Sequence, residues 1–305
     1  AGRTGASSAA PSPAATASRS ASSVPSLQTA DGRTLAWRET GSGPPLLCHP
    51  GGPGSSSAYY GDLPALAAER TLLLLDPRGT GASDPPADPA AYDLEDYAAD
   101  IEAVREHAGI ERLDLLGHSH GGFVAMAWAA RYPGSVGRLV LASTAPRFTE
   151  PIREARRARA ESHAGQPYYE DALEAAHLRA EGRYTSDEEL TQLYRREGML
   201  DAPVGVDPAP VLDVLARAGD NADAVGHFNS AIAARMDHRP ALAAIRAPVL
   251  VITGSEDVFL SGAHEIADAL PSATLVILPG ADHFPYLEPG HDEPWSRAVL
   301  EFLNA

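Results

Sequence analysis

Three residue types recur wherever an unactivated hydroxyl is turned into a nucleophile: a serine, a histidine that takes its proton, and a carboxylate that orients the histidine. The chain holds a serine in Gly117-His118-Ser119-His120-Gly121, directly after the apolar run Leu113-Asp114-Leu115-Leu116 and directly before Gly122-Phe123-Val124-Ala125-Met126-Ala127-Trp128-Ala129-Ala130. Strand, Gly-x-Ser-x-Gly and helix in immediate succession predict a nucleophile elbow, a turn so sharp that only glycines fit two residues either side of the serine. Such a turn lifts the Ser119 hydroxyl out of the sheet and aims the helix N-terminus, with its free N–H groups, at any negative charge formed nearby.

In an open parallel sheet the reactive groups gather beyond the carboxyl ends of the strands. The acid and the base are therefore expected after the last two strand-like runs. After Val249–Thr253 comes Gly254-Ser255-Glu256-Asp257, and after Thr274–Leu278 comes Pro279-Gly280-Ala281-Asp282-His283. The order Ser119, Asp257, His283 is the one the elbow motif predicts. Glu256 is the alternative acid and His291 the alternative base, while Asp282 is assigned to a turn. Acyl transfer also needs N–H donors for the developing oxyanion. One is the backbone N–H of His120, and the other is that of Gly52 in the loop His49-Pro50-Gly51-Gly52-Pro53-Gly54. The imidazoles of His118 and His120 are not required by this scheme.

The elements that hold these residues alternate. Arg33–Arg38, Pro45–Cys48, Thr71–Leu75, Leu113–Leu116, Arg138–Ala142, Val249–Ile252 and Thr274–Leu278 read as strands. Helix-like stretches are Leu94–His107, with Asp93 as its cap, the elbow helix, Ala263–Leu270 and Trp295–Leu303. Strands alternating with helices predict an α/β fold, a mostly parallel central sheet with helices on both faces. Residues 147–240 contain no strand pattern and are rich in Ala, Glu and Arg at helical spacing, broken by Pro167, Pro203, Pro208 and Pro210. They read as a helical cap inserted in a core made of residues 25–146 and 241–305. Residues 1–24, almost entirely Ala, Ser, Thr, Pro, Gly and Arg, carry too little apolar surface to offset their ordering entropy and read as a disordered tail.

The composition fits this picture. Of 305 residues, 44% are hydrophobic and 21% charged, which is ordinary for a globular chain. The formal net charge of −17 argues against nucleic-acid phosphates and anionic membranes as partners. The single cysteine, Cys48, excludes an internal disulfide and a Cys-rich metal site and reads as a buried, inert thiol. No run approaches the about 18–20 apolar residues that cross a bilayer, and a cytoplasmic location is expected.

The loop, the turn and the elbow together resemble the α/β-hydrolase superfamily, and within it the proline iminopeptidase-like branch. The resemblance rests on Gly51-Gly52-Pro53-Gly54, Asp76-Pro77-Arg78-Gly79-Thr80-Gly81-Ala82-Ser83 and Gly117-His118-Ser119-His120-Gly121-Gly122. It implies the α/β-hydrolase fold and a Ser-His-Asp triad that needs no cofactor or metal. It further implies removal of an N-terminal residue, preferably proline, from a small-molecule or short-peptide substrate. Two positions depart from that branch: Pro50 stands where histidine is usual before the Gly-Gly pair, and His120 where tryptophan usually follows the serine. The branch holds the substrate's protonated amine with acidic cap residues, and Glu170 and Glu174, on one helical face, are the candidates here. Arg78 is assigned to anchoring the Asp76–Ser83 turn. The function expected is a metal-independent serine hydrolase acting through an acyl-enzyme, of aminopeptidase or aminoacyl-amidase type. An ester, lactone or thioester hydrolase is the alternative, and a ligand-binding protein on the same fold a third.

Overall fold

The computed structural model describes Gly2, residues 24–270 and residues 272–305. The reading of residues 1–24 as a disordered tail therefore lies outside the described residues, apart from Gly2 and Val24. Eight strands form one sheet: β1 (Ser26–Gln28), β2 (Thr34–Gly41), β3 (Pro45–His49), β4 (Thr71–Asp76), β5 (Leu113–His118), β6 (Val136–Ala142), β7 (Val249–Gly254) and β8 (Thr274–Leu278). Their spatial order is β1-β2-β4-β3-β5-β6-β7-β8. β2 runs antiparallel to both β1 and β4, and every other pairing is parallel. The chain steps from β3 outward to β4 and then returns to place β5 on the other side of β3. This reversal opens a crevice at the carboxyl ends of β3 and β5, where open α/β sheets bind their ligands.

The helices are α1 (Pro64–Ala67), α2 (Leu94–His107), α3 (His120–Arg131), α4 (Glu150–Ser162), α5 (Tyr169–Ala180), α6 (Asp187–Glu197), α7 (Ala209–Ala218), α8 (Ala222–His227), α9 (Arg239–Leu242), α10 (Leu260–Ala269) and α11 (Asp292–Asn304). Asp93 caps α2, its carboxylate accepting from the Glu95 N–H.

The apolar runs of the central strands bury both faces. Leu47, Leu73, Leu115, Leu141 and Val251 point to one side and pack with α2, α3 and α10. Leu46, Leu72, Leu116, Val140 and Leu250 point to the other and meet Leu66 of α1 and Trp295, Val299 and Leu303 of α11. Alternate residues of one continuous run thus serve two cores, which is why these strands show no polar alternation. Cys48 lies in the second core, where burial pushes its thiol pKa up and keeps it unreactive.

Differences from the sequence reading are at the edges. β1 is a three-residue strand with exposed ends, too short to carry a pattern. α10 and α11 each start three residues earlier than their apolar spacing indicates, at Leu260 and Asp292, and the first turn of α11 is acidic. Between β6 and β7 the chain runs through α4 to α9 and forms no strand among the described residues. Among the described residues no helix is long and apolar enough to cross a membrane.

Candidate active site

Ser119 follows β5 without a linker and precedes α3, and its backbone is forced into φ 54°, ψ −117°. A non-glycine residue in that region costs about 1–3 kcal/mol and persists only when its surroundings hold it there. The flanking glycines show the constraint directly. A Cβ on Gly117 would lie 2.3 Å from the Gly121 carbonyl oxygen, and one on Gly121 would lie 2.2 Å from that of His49. The turn therefore has no room for side chains at either position. Ser119 is half-buried while its neighbours His118 and His120 are buried, so the hydroxyl alone is presented.

The loops after β7 and β8 bring Asp257 and His283 to it. His283 Nδ1 lies 3.0 Å from Asp257 Oδ1, and its Nε2 lies 3.1 Å from Ser119 Oγ. A carboxylate only accepts, so Nδ1 carries the proton and Nε2 offers its lone pair to the serine hydroxyl. Asp257 is itself fixed: Oδ1 accepts from the Phe259 N–H at 2.9 Å and Oδ2 from the Thr253 hydroxyl at 2.9 Å. Burial alone would raise the Asp257 pKa. The His283 charge, its hydrogen bond and that of Phe259 outweigh burial and hold the carboxyl well below the usual range. Burial likewise opposes protonation of His283, but the Asp257 charge and hydrogen bond prevail and raise its pKa above the ordinary imidazole value.

The loop after β3 passes beside the elbow, with His49 in register with Gly117. A Cβ on Gly51 would sit 3.2 Å from the Ser119 Cβ and 2.2 Å from the Tyr59 hydroxyl, which shows how closely the backbone approaches the serine. Gly52 adopts φ +111°. Among the described residues, the Gly52 and His120 N–H groups have no protein acceptor and remain free for an oxyanion.

The alternatives fall elsewhere. His291 pairs with Glu288 at 3.3 Å, and Glu256 is exposed. Arg78 anchors its turn by donating to Asp100 Oδ2 at 2.8 Å and to the Asp96 carbonyl at 2.6 Å.

Glu170 and Glu174 require correction: the structure does not bring them to the serine. Both are exposed on α5, and Glu174 accepts from Arg196 at 3.1 Å. The inward face of α5 is taken by Ala172 and Ala175, and the face that Glu170 and Glu174 share points to solvent.

Two features escape sequence reasoning. His118 is fully buried between Tyr59, 2.8 Å from its Nδ1, and the His283 carbonyl, 2.7 Å from its Nε2. Asp220, in the link between α7 and α8, is tied to the Gly51–Gly54 loop through its neighbour Asn221, whose N–H donates to the Gly54 carbonyl at 3.0 Å. Burial pushes the Asp220 carboxyl up to about 7, and its charge acts on Tyr59, the residue against Gly51. A Gly-Asp-Asn stretch between helices carries only turn chemistry, which hides such a role.

A strained serine at a strand-to-helix turn, a histidine and aspartate from the last two strand ends, and a glycine loop at the switch point define a chain of the α/β-hydrolase class. Residues 44–289 match the family described as alpha/beta hydrolase fold, and the protein belongs to it. It is 28% identical to 2-(acetamidomethylene)succinate hydrolase of Mesorhizobium japonicum over 275 residues, 89% of this chain and 92% of that protein. It is also 28% identical to the proline iminopeptidase of Lactobacillus delbrueckii subsp. lactis over 262 residues, 80% of this chain and 85% of that protein. The crystal structure of a hydrolase from Pseudomonas aeruginosa superposes with a TM-score of 0.67 at 27% identity, covering 94% of this chain and all of that one.

Proposed function

We propose that this hydrolase acts through an acyl-enzyme, with Ser119 as nucleophile, His283 as general base and acid, and Asp257 as the orienting carboxylate. The observation that carries this is the hydrogen-bonded chain from Ser119 Oγ through His283 to the buried Asp257. Ser119 Oγ attacks the substrate carbonyl carbon as its proton passes to His283 Nε2. The oxyanion is met by the N–H groups of Gly52 and His120. His283 then returns the proton to the leaving group, which departs, and a water activated by the same imidazole releases the acid. No step of this scheme needs a metal ion. The helical segment 147–240 acts as a cap that closes the crevice over Ser119.

The substrate class that fits best is an acyl donor with a free amine, as in an aminopeptidase or aminoacyl amidase. Asp220 is the carboxylate offered for that amine, because its neighbour Asn221 donates to the Gly54 carbonyl at 3.0 Å and so sets it beside the glycine loop. Hydrolysis of proline and alanine p-nitroanilides beside p-nitrophenyl butyrate, with wild type and Ser119→Ala, tests both levels. Release from the anilides that requires Ser119 is the expected result, and full turnover by Ser119→Ala would overturn the mechanism.

A second reading, an ester, lactone or thioester hydrolase, is favoured by His120. Its ring packs on Phe228 at 5.2 Å and Phe123 at 6.0 Å, and burial holds it neutral, so the wall beside the nucleophile is aromatic and uncharged. Release from the butyrate ester alone would select it.

A further inference from the structure

The backbone around His283 is gripped from several directions. Glu288 accepts the Asp282 N–H at 2.9 Å and the Phe284 N–H at 3.2 Å, one on each side of the histidine. That leaves the Asp282 side chain free to look elsewhere, and it faces Arg159 of α4. The same guanidinium donates through Nη2 to the carbonyl of Glu256, the residue before Asp257, at 2.7 Å. Through Nη1 it also donates to the carbonyl of Asp201, within the helical segment itself. One side chain thus touches the loop of the acid, the loop of the base and its own segment. Beside it, the seam between α4 and the β7–α10 loop is a cleft of about 430 Å³, lined by Arg159, Glu256 and Asp257 together with Pro151, Ala155 and Val258.

We propose that Arg159 is a positioning residue: from α4 it locks the loops carrying Asp257 and His283 into the geometry that serves Ser119. This role rests on the serine-hydrolase reading above. Arginine suits it because its planar fork makes several directed, charge-assisted bonds at once, which a lysine point charge does not. The pair with Asp282 is largely shielded, at 13% and 11% side-chain exposure, so it is not a loose surface contact. The triad loops are therefore held in register only while α4 is seated on them.

The test is the rate at which a small fluorophosphonate modifies Ser119. That reaction needs the triad but makes little use of a substrate pocket. It is measured for wild type, Arg159→Met, Arg159→Lys, Asp282→Asn and the Met/Asn double variant, with thermal melts and kcat and KM alongside. Modification of Arg159→Met and Asp282→Asn is expected to slow about tenfold to 100-fold, the scale of a misplacement near 1 Å. kcat should fall more than KM, Arg159→Lys should recover little, and the double variant should be no slower than the worse single one. An unchanged rate in folded Arg159→Met, or effects that multiply in the double variant, overturns the proposal. If Arg159→Met does not fold, the near-isosteric Asp282→Asn decides in the same way. Failure of wild type to be modified would overturn the serine nucleophile itself, and the positioning role with it.

Discussion

The imidazole of His118 donates its Nε2–H to the main-chain carbonyl of His283 at 2.7 Å, so the residue before Ser119 holds the backbone of His283. The carbonyl can only accept, which fixes the tautomer and leaves Nδ1 to accept from the Tyr59 hydroxyl at 2.8 Å. Burial drives the His118 pKa down to about 3, so the ring stays neutral wherever the enzyme would work. Replacing His118 with leucine should lower kcat about tenfold or more. Glutamine, whose amide reproduces the Nε2 donor, should retain most of it, and equal loss in both variants would contradict the assignment.

The pH profile has a defined sign. Protonated His283 cannot take the serine proton, so kcat/KM falls as pH drops through its pKa. Because Asp257 overrides burial and raises that pKa, the acid limb should lie above the ordinary imidazole value of about 6.5. Asp257→Asn should move the limb downward and reduce kcat by about 10⁴. A wild-type limb well below the ordinary value would refute the pairing.

The elbow leaves no room for a methyl group. A Cβ on Gly121 would be 2.2 Å from the His49 carbonyl oxygen and 2.7 Å from that of Pro50, both backbone. Gly121→Ala should destabilise the fold by about 1–3 kcal/mol, measured by urea unfolding. It should also push the Gly51–Gly54 loop away from Ser119, so activity should fall further than the unfolded fraction explains.

Asp220→Asn separates the two substrate readings. If the carboxylate receives an amine, KM for the proline anilide should rise about tenfold to 100-fold, the scale of a lost hydrogen bond to a charged group. Hydrolysis of p-nitrophenyl butyrate, which has no amine, should be unaffected. Equal effects on both would remove Asp220 from amine recognition.

Much of this was legible along the chain because it depends on neighbours in sequence. The alternating apolar runs dictate strands and helices, and Gly117, Ser119 and Gly121 dictate an elbow. The positions of Asp257 and His283 just beyond two strands mark them as loop residues at one edge of a parallel sheet. These are local consequences of side-chain size, backbone freedom and strand direction. The carboxylates were not separable in this way. Glu174 and Asp220 both belong to a charge-rich helical segment, and only its docking leaves one in solvent and places the other next to Asn221, whose N–H meets the Gly54 carbonyl. Asp282 looks like a turn residue until Arg159, 123 positions earlier, arrives beside it, and His118 meets His283 across 165 positions. Sequence alone therefore determined the sheet, the elbow and the order in which Ser119, Asp257 and His283 follow their strands. The tertiary structure decided which distant side chains meet those residues, because contacts between distant segments depend on how helices pack and not on local spacing.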